Sequence, residues 1–228
     1  MLAFIPEIVI KDTIRTLLDY VKIDYDNKSD KTESVLYRLL YNQTLQRYNF
    51  YNQGKTVFLK EKADPRYIEV NMMFNRDRQQ TPTVHIMLPS ENEADMTLGI
   101  GEGELEPYYN EINSQNAIAQ RTFNKRFRAS YNIIITSDNI NEVILIYHVL
   151  RSLLISANEH LNMSGIFNIK LGGRDIQINS DLVPPHLFMK SISLDCEYDV
   201  GSIELLPVDY ANDFTITGLP ELDESVSI

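Results

Sequence analysis

With a single cysteine, Cys196, the chain has no route to an intramolecular disulfide, which fits a reducing compartment. Cys196 alternates with Leu194 and Tyr198, so it is expected on an apolar strand face. Its neighbours Asp195 and Glu197 deny it the positive surroundings that activate a thiol, and a small, buried, inert side chain is the expectation. Long apolar runs are missing too. None approaches the roughly 18 residues that cross a bilayer, and the first residues carry neither a basic stretch nor a cleavage site. No membrane partner is therefore expected.

Positive charge is scarce. Against 32 Asp and Glu stand 21 Lys and Arg, a formal charge of −11, which argues against sequence-specific nucleic-acid binding because that needs a basic patch. It leaves room for a surface that DNA slides past without adhering. Catalytic motifs are absent as well: no Gly-x-Ser-x-Gly, His-Glu-x-x-His or Cys-x-x-Cys occurs. The four histidines, His85, His148, His160 and His186, show no metal-ligand spacing, and the twelve residues between His148 and His160 put them more than three helical turns apart. Gly99-Ile-Gly101-Glu-Gly103 is no phosphate loop, since Glu102, Glu104 and Glu106 would repel phosphate, and it lacks the acidic ladder of a calcium loop. No catalytic residue, cofactor or metal is expected.

What is present is apolar periodicity. Ile10, Ile14, Leu17, Leu18 and Val21 predict a helix over about 6–21, opened by Pro6. A second helix is expected from an Asp30 or Thr32 cap, with Val35, Leu36, Leu39, Leu40 and Leu45 as its stripe. Tyr37, Tyr41, Tyr48 and Tyr51 lie there among Asn and Gln, a composition that suits either an interface or packing within the domain. Strands are expected over 56–60, 67–74 and 84–88, with His85 as a strand residue and Asp64-Pro65-Arg66 as a turn.

The best-patterned stretch is 127–200. Phe127, Ala129, Tyr131, Ile133 and Ile135 share a strand face. Ser137-Asp138-Asn139 can cap a helix over about 140–161, whose apolar residues cover more than one stripe. Such a helix is expected between two layers, one its own sheet and the other the N-terminal helices or a second copy of the chain. Gly172-Gly173 then reads as a tight hairpin turn, returning through Ile176 and Ile178. A strand over 187–200 follows, alternating Phe188, Ile192, Leu194, Cys196, Tyr198 and Val200 with Ser191, Ser193, Asp195, Glu197 and Asp199; Lys190 alone breaks the apolar side.

Charge is segregated along the chain. Ser90 to Glu111 holds seven acidic residues and no basic one, and Ser191 to the C-terminus holds nine, again with none basic. Between them sits a basic island. A loop as long as 90–120 inside a compact domain is unusual, and it reads either as an arm or hairpin laid on a neighbouring subunit or as a surface loop. Opposite charges within one chain favour self-association. The candidate subunit-interface residues are Glu91, Glu93, Asp95, Glu102, Glu104 and Glu106 on one side, and Arg121, Lys125, Arg126 and Arg128 on the other.

The expected fold class is α+β: a mostly antiparallel sheet packed by one long central helix and N-terminal helices. One domain over 1–205 carries the acidic arm at about 90–120, and an extended acidic tail occupies 206–228. The succession Tyr131-Asn-Ile-Ile-Ile-Thr136, Asn139-Ile-Asn-Glu142 with Leu150-Arg-Ser-Leu-Leu154, and Phe188 to Val200 resembles the head–tail connector and tail terminator (neck ring) proteins of tailed bacteriophages. It covers about residues 121–200. The Tyr- and Asn-rich, tryptophan-free composition is also similar to proteins of crAss-like phages.

The resemblance implies a virion protein, assembled in the host cytoplasm as a homo-oligomeric ring of six or twelve copies. It would contact the portal or adjacent connector and tail proteins and line a DNA passage, with no catalytic residues. The 90–120 excursion and the tail exceed what a minimal terminator needs. The alternative from another class is a monomeric intracellular adaptor or ligand-binding α+β domain.

Overall fold

The computed structural model describes residues 5–72, 81–94, 105–106, 120–176 and 187–205. Helix α1 (Pro6–Asn27) opens on Pro6 and buries Ile10, Thr13, Ile14, Leu18 and Val21 along one face. A 3-10 turn at Lys31–Glu33, capped by Asp30, leads to the short α2 (Val35–Leu40), whose first turn is closed by the Ser34 hydroxyl accepting from Tyr37 N at 3.2 Å. Strands β1 (Thr44–Leu45) and β2 (Tyr48–Asn49) form a tight hairpin. Helix α3 (Phe50–Phe58) follows directly.

The expected strand over 56–60 is thus mostly helix. Asn49 caps α3 by accepting from Asn52 N at 2.9 Å, and Gly54, Val57 and Phe58 fall at helical spacing against α2. A Cβ on Gly54 would come within 2.6 Å of Leu40 Cδ1, so glycine is what lets the two helices approach. Packing of that face overrides the β propensity of Thr56-Val57-Phe58.

The main sheet runs β3 (Glu69–Met72), β4 (Thr83–Glu93), β6 (Gln120–Ser137), β8 (Phe188–Leu205), β7 (Ile166–Asp175), and short β5 (Leu105–Glu106) pairs with the start of β6. The fold is α+β as expected, and the sheet is mixed: β3 lies parallel to β4, whereas β4–β6 and β7–β8 are antiparallel. Helix α4 (Ile140–Ser156) is the central helix. It ends five residues sooner than expected, at Ala157, and the chain resumes as α5 (Asn158–Met163).

Val143, Leu145, Ile146, Val149, Leu150, Leu153 and Leu154 of α4 are all buried, because the sheet covers one side while α1 and α3 cover the other. The N-terminal helices therefore supply the second layer, within one chain.

Two strand expectations need correction. Gly172-Gly173 is no turn; both lie inside β7, opposite Ser193 and Ile192. Gly173 sits under the hydroxyl of Tyr147 from α4, and Gly172 sits against the Ser193 hydroxyl, so glycine marks close approach here rather than chain reversal. The expected return strand falls largely on residues outside the described set. Lys190, the exception in the β8 alternation, is accounted for: it pairs with Asp175 at 2.6 Å and lies over the Tyr147 ring at 4.7 Å.

The opposite face of the sheet is also closed at one end. His85 and Ile134 are register partners, and both they and Ser191 are buried. The Ser191 hydroxyl has no hydrogen-bond partner among the described residues. Ser191→Ala is accordingly expected to be neutral or to stabilise by up to about 1 kcal/mol, since it removes an unpaired polar atom. A urea titration checks this, and a clear destabilisation would mean the hydroxyl is paired.

The chain divides into two units. Phe4–Ala94 with Arg126–Asp199 holds the helices and most of the sheet. In the other, Leu105 and Glu106 of β5 stand opposite Arg121 and Gln120 of β6.

Candidate functional site

The first candidate is a charged ladder on the sheet. Arg126 Nε and Nη2 donate to the two carboxylate oxygens of Asp199 at 2.7 and 3.0 Å. Arg128 donates to Glu197 at 2.7 and 3.1 Å, and Ser130 Oγ to Asp195 at 2.6 Å. The pairs step by two residues in opposite directions, which fixes β6 and β8 as antiparallel neighbours. A bulge between Phe167 and Lys170 puts Asn168 at φ +51°, a conformation asparagine tolerates, and from there its amide donates to Glu197 at 2.7 Å.

The Arg126 guanidinium holds the Asp199 carboxyl below its ordinary range. Glu197 is lowered likewise, first by Arg128 and then by Asn168. Beside the ladder Ser90, Asn92 and Lys170 border an open trough of about 740 Å³. Cys196 lies on the strand's other face, buried as expected, with burial and the flanking Asp195 and Glu197 raising its thiol to about 12.

This ladder has a pH signature. Carboxyls whose folded pKa is depressed add stability that is present above the unfolded value near 4 and is lost as pH falls through the folded value. Removing both arginines (Arg126→Ala with Arg128→Ala) is expected to lower stability by about 1 kcal/mol at pH 7, because these pairs are only partly buried and solvent screens them. At pH 3 the loss should be much smaller. Urea midpoints at the two pH values read the difference, and an equal loss at both would overturn the assignment.

The second candidate is a recess of about 550 Å³ at the start of α4, bordered by Tyr48, Gln53, Lys60, Arg66, Glu142 and Phe188. Arg66 grips Asp138 with two bonds, at 2.9 and 3.2 Å, and reaches Glu142 Oε2 at 2.8 Å. Ser137 Oγ donates a short bond to the same Glu142 oxygen, with Asp138 Oδ1 at 3.2 Å as the alternative acceptor for that one proton. Asp64 organises the turn that presents Arg66, accepting from Arg66 N at 2.8 Å. The Arg66 guanidinium lowers the Asp138 carboxyl, and Asp138 in turn raises Arg66. Every charge in the recess has its counter-charge, so the arrangement pins the 64–66 turn to the β6–α4 junction.

The third candidate is the face formed by α2, the β1–β2 hairpin and α3. The rings of Tyr37 and Tyr41 stack at 4.6 Å, Tyr51 stands edge-on to Tyr37 at 5.1 Å, and Lys55 lies over the Tyr51 ring at 4.8 Å.

The expected interface residues that are described lie on β4, β5 and β6. Glu91 and Glu93 sit at the end of β4, opposite Ala129 and Phe127. Glu106 is in β5 and Arg121 in β6, and Lys125 is exposed on β6. Asp95, Glu102 and Glu104 lie outside the described residues. Arg126 and Arg128 are brought together with the β8 carboxylates. The Arg66 cluster was missed, because its members lie 72 and 76 residues apart and only tertiary structure joins them. Among the described residues no group of three or more His, Cys, Asp or Glu is placed to hold a metal, and no helix is long and apolar enough to cross a membrane. No protein-family model matches the chain, and no curated protein matches it.

Proposed function

We propose that the chain is a structural subunit of a tailed-phage neck, building a ring in the head–tail connector or tail terminator that links the portal side to the tail around a DNA passage. The resemblance over residues 121–200 motivates this reading. The observation that carries it is the path of β6 and β8. Each runs 18 residues, about three times the usual strand length, and each contributes to both units of the chain. Short β5 pairs antiparallel with the start of β6. A net charge of −11 suits a lumen that DNA traverses without adhering.

Sedimentation velocity and negative-stain microscopy of the full chain, alone and mixed with a tailed-phage portal protein, test the reading. A discrete closed ring is expected in at least one of the two. A monomer indifferent to such a partner would overturn it and favour a ligand-binding adaptor, for which the Arg66–Glu142 recess would be the pocket to examine. Replacing residues 95–119 by a short Gly/Ser linker, a change that leaves β4 and β6 whole, is expected to reduce assembly while circular dichroism stays unchanged. Undiminished assembly would remove the arm from the account.

A further inference from the structure

Between Ser34 and Lys60 the chain carries four basic residues and no acidic one, in a protein of formal charge −11. Lys60 is paired with Asp64 at 3.4 Å. Arg38 and Arg47 are exposed and form no ion pair among the described residues. The basic island around Arg126 is different, because Arg126 and Arg128 are already bound to Asp199 and Glu197 within the chain. Arg38, Arg47 and Lys55 thus give α2, the hairpin and α3 a face with positive charge and no acidic residue of its own.

Two further features make that face a prepared surface. Its tyrosines are held against one another, and Tyr41 is 61% exposed beside the half-exposed Leu45. Rigid aromatic rings beside arginine are what the buried centres of interfaces are built from. The backbone is also fixed in a costly shape. Asn42 at φ +60° and Gln46 at φ +53° occupy the left-handed region, on the order of 1 kcal/mol each for residues other than glycine. A preformed surface loses little entropy when a partner settles on it.

We propose that this face seats the acidic C-terminal segment, residues 206–228, of a second copy of the chain. That segment has five carboxylates, Asp209, Asp213, Glu221, Asp223 and Glu224, no basic residue, and apolar side chains such as Phe214 and Leu222 between them. Extended, 23 residues reach about 75 Å, enough to cross a neighbouring subunit. The acidic stretch 90–111 is the weaker occupant, because strands β4 and β6 tether it at both ends. Donor and acceptor are different patches, so the contact repeats head to tail and closes into a ring when the rotation allows. The inference rests on the ring reading and names the contact that would build it.

Zero-length carbodiimide cross-linking of the full chain, mixed equally from ¹⁴N- and ¹⁵N-labelled protein, tests it. Lys55 is the sole lysine between residues 32 and 59, so its cross-links report on this face alone. Mixed-isotope links from Lys55 to Glu221, Asp223 or Glu224 are expected, falling at least about tenfold in Arg38→Glu with Arg47→Glu. Adding a chain with Glu221→Lys, Asp223→Lys and Glu224→Lys should restore association to that double variant. If sedimentation shows an oligomer but Lys55 gives no link to the tail, the inference falls and the ring reading stands. Links confined to same-isotope pairs would also overturn it, placing the tail on its own chain. With neither link nor oligomer, both readings fall.

Discussion

Glu142→Ala is expected to lower the unfolding free energy by about 3 kcal/mol, a fall in Tm of about 6–12 °C for a domain of this size. The side chain is only 8% exposed, and one of its oxygens receives both Arg66 Nη2 at 2.8 Å and the Ser137 hydroxyl. Truncation leaves a hydroxyl and part of a guanidinium without their buried acceptor. It also removes the first-turn carboxylate of α4, whose interaction with the helix dipole is worth several tenths of a kcal/mol.

Asp138 limits the damage. It keeps two bonds to Arg66 and can take the Ser137 hydroxyl, which holds the estimate to the lower end of the range for a broken buried pair. Glu142→Gln should cost about half as much, because the amide oxygen can still accept from Ser137. Asp138→Ala should cost about 1 kcal/mol, since that carboxylate is half exposed. The ordering Glu142→Ala, Glu142→Gln, Asp138→Ala in urea midpoints is the check; Asp138→Ala costing as much as Glu142→Ala would mean that the exposed pair, not the buried one, holds the junction.

Periodicity made much of the architecture legible before any coordinates. The alternation through Ala129, Tyr131, Ile133 and Ile135 and the stripe of α1 are local patterns that the burial bears out, and the cap expected within Ser137–Asn139 falls on Asn139. The excess apolar surface of α4 correctly announced two covering layers. What sequence could not reveal were decisions made by tertiary neighbours. Thr56-Val57-Phe58 reads as strand until Leu36 and Leu40 are placed against Gly54. Arg126 and Arg128 read as free charge until β8 is laid beside β6, after which the acidic wet face of one strand neutralises the basic face of the other. That pairing removes Arg126 and Arg128 from the free positive charge and leaves Arg38 and Arg47 among the exposed cations with no ion pair among the described residues.

Gly173→Val is expected to destabilise by about 3 kcal/mol, the upper end of what overpacking costs. A glycine pair between strand-like residues suggests a hairpin turn, but here the demand comes from the helix above. Tyr147 projects from α4 so that its hydroxyl occupies the space a Gly173 side chain would fill, and its ring carbon Cζ lies 2.9 Å from where that Cβ would stand. Lys190 holds the ring from the side, at 4.7 Å, while paired to Asp175 at the end of β7. The ring therefore has little freedom to swing aside, and either α4 lifts or β7 bends. Tyr147→Phe removes the hydroxyl but leaves the ring carbon, so in the Gly173→Val background it should recover roughly a third to a half of the loss while costing little by itself. A double-mutant cycle in urea isolates this coupling. Additive losses would show that Gly173 is needed for strand geometry rather than for the approach of Tyr147, and Gly172→Ala, which meets the Ser193 hydroxyl on the opposite face, should show no coupling to Tyr147.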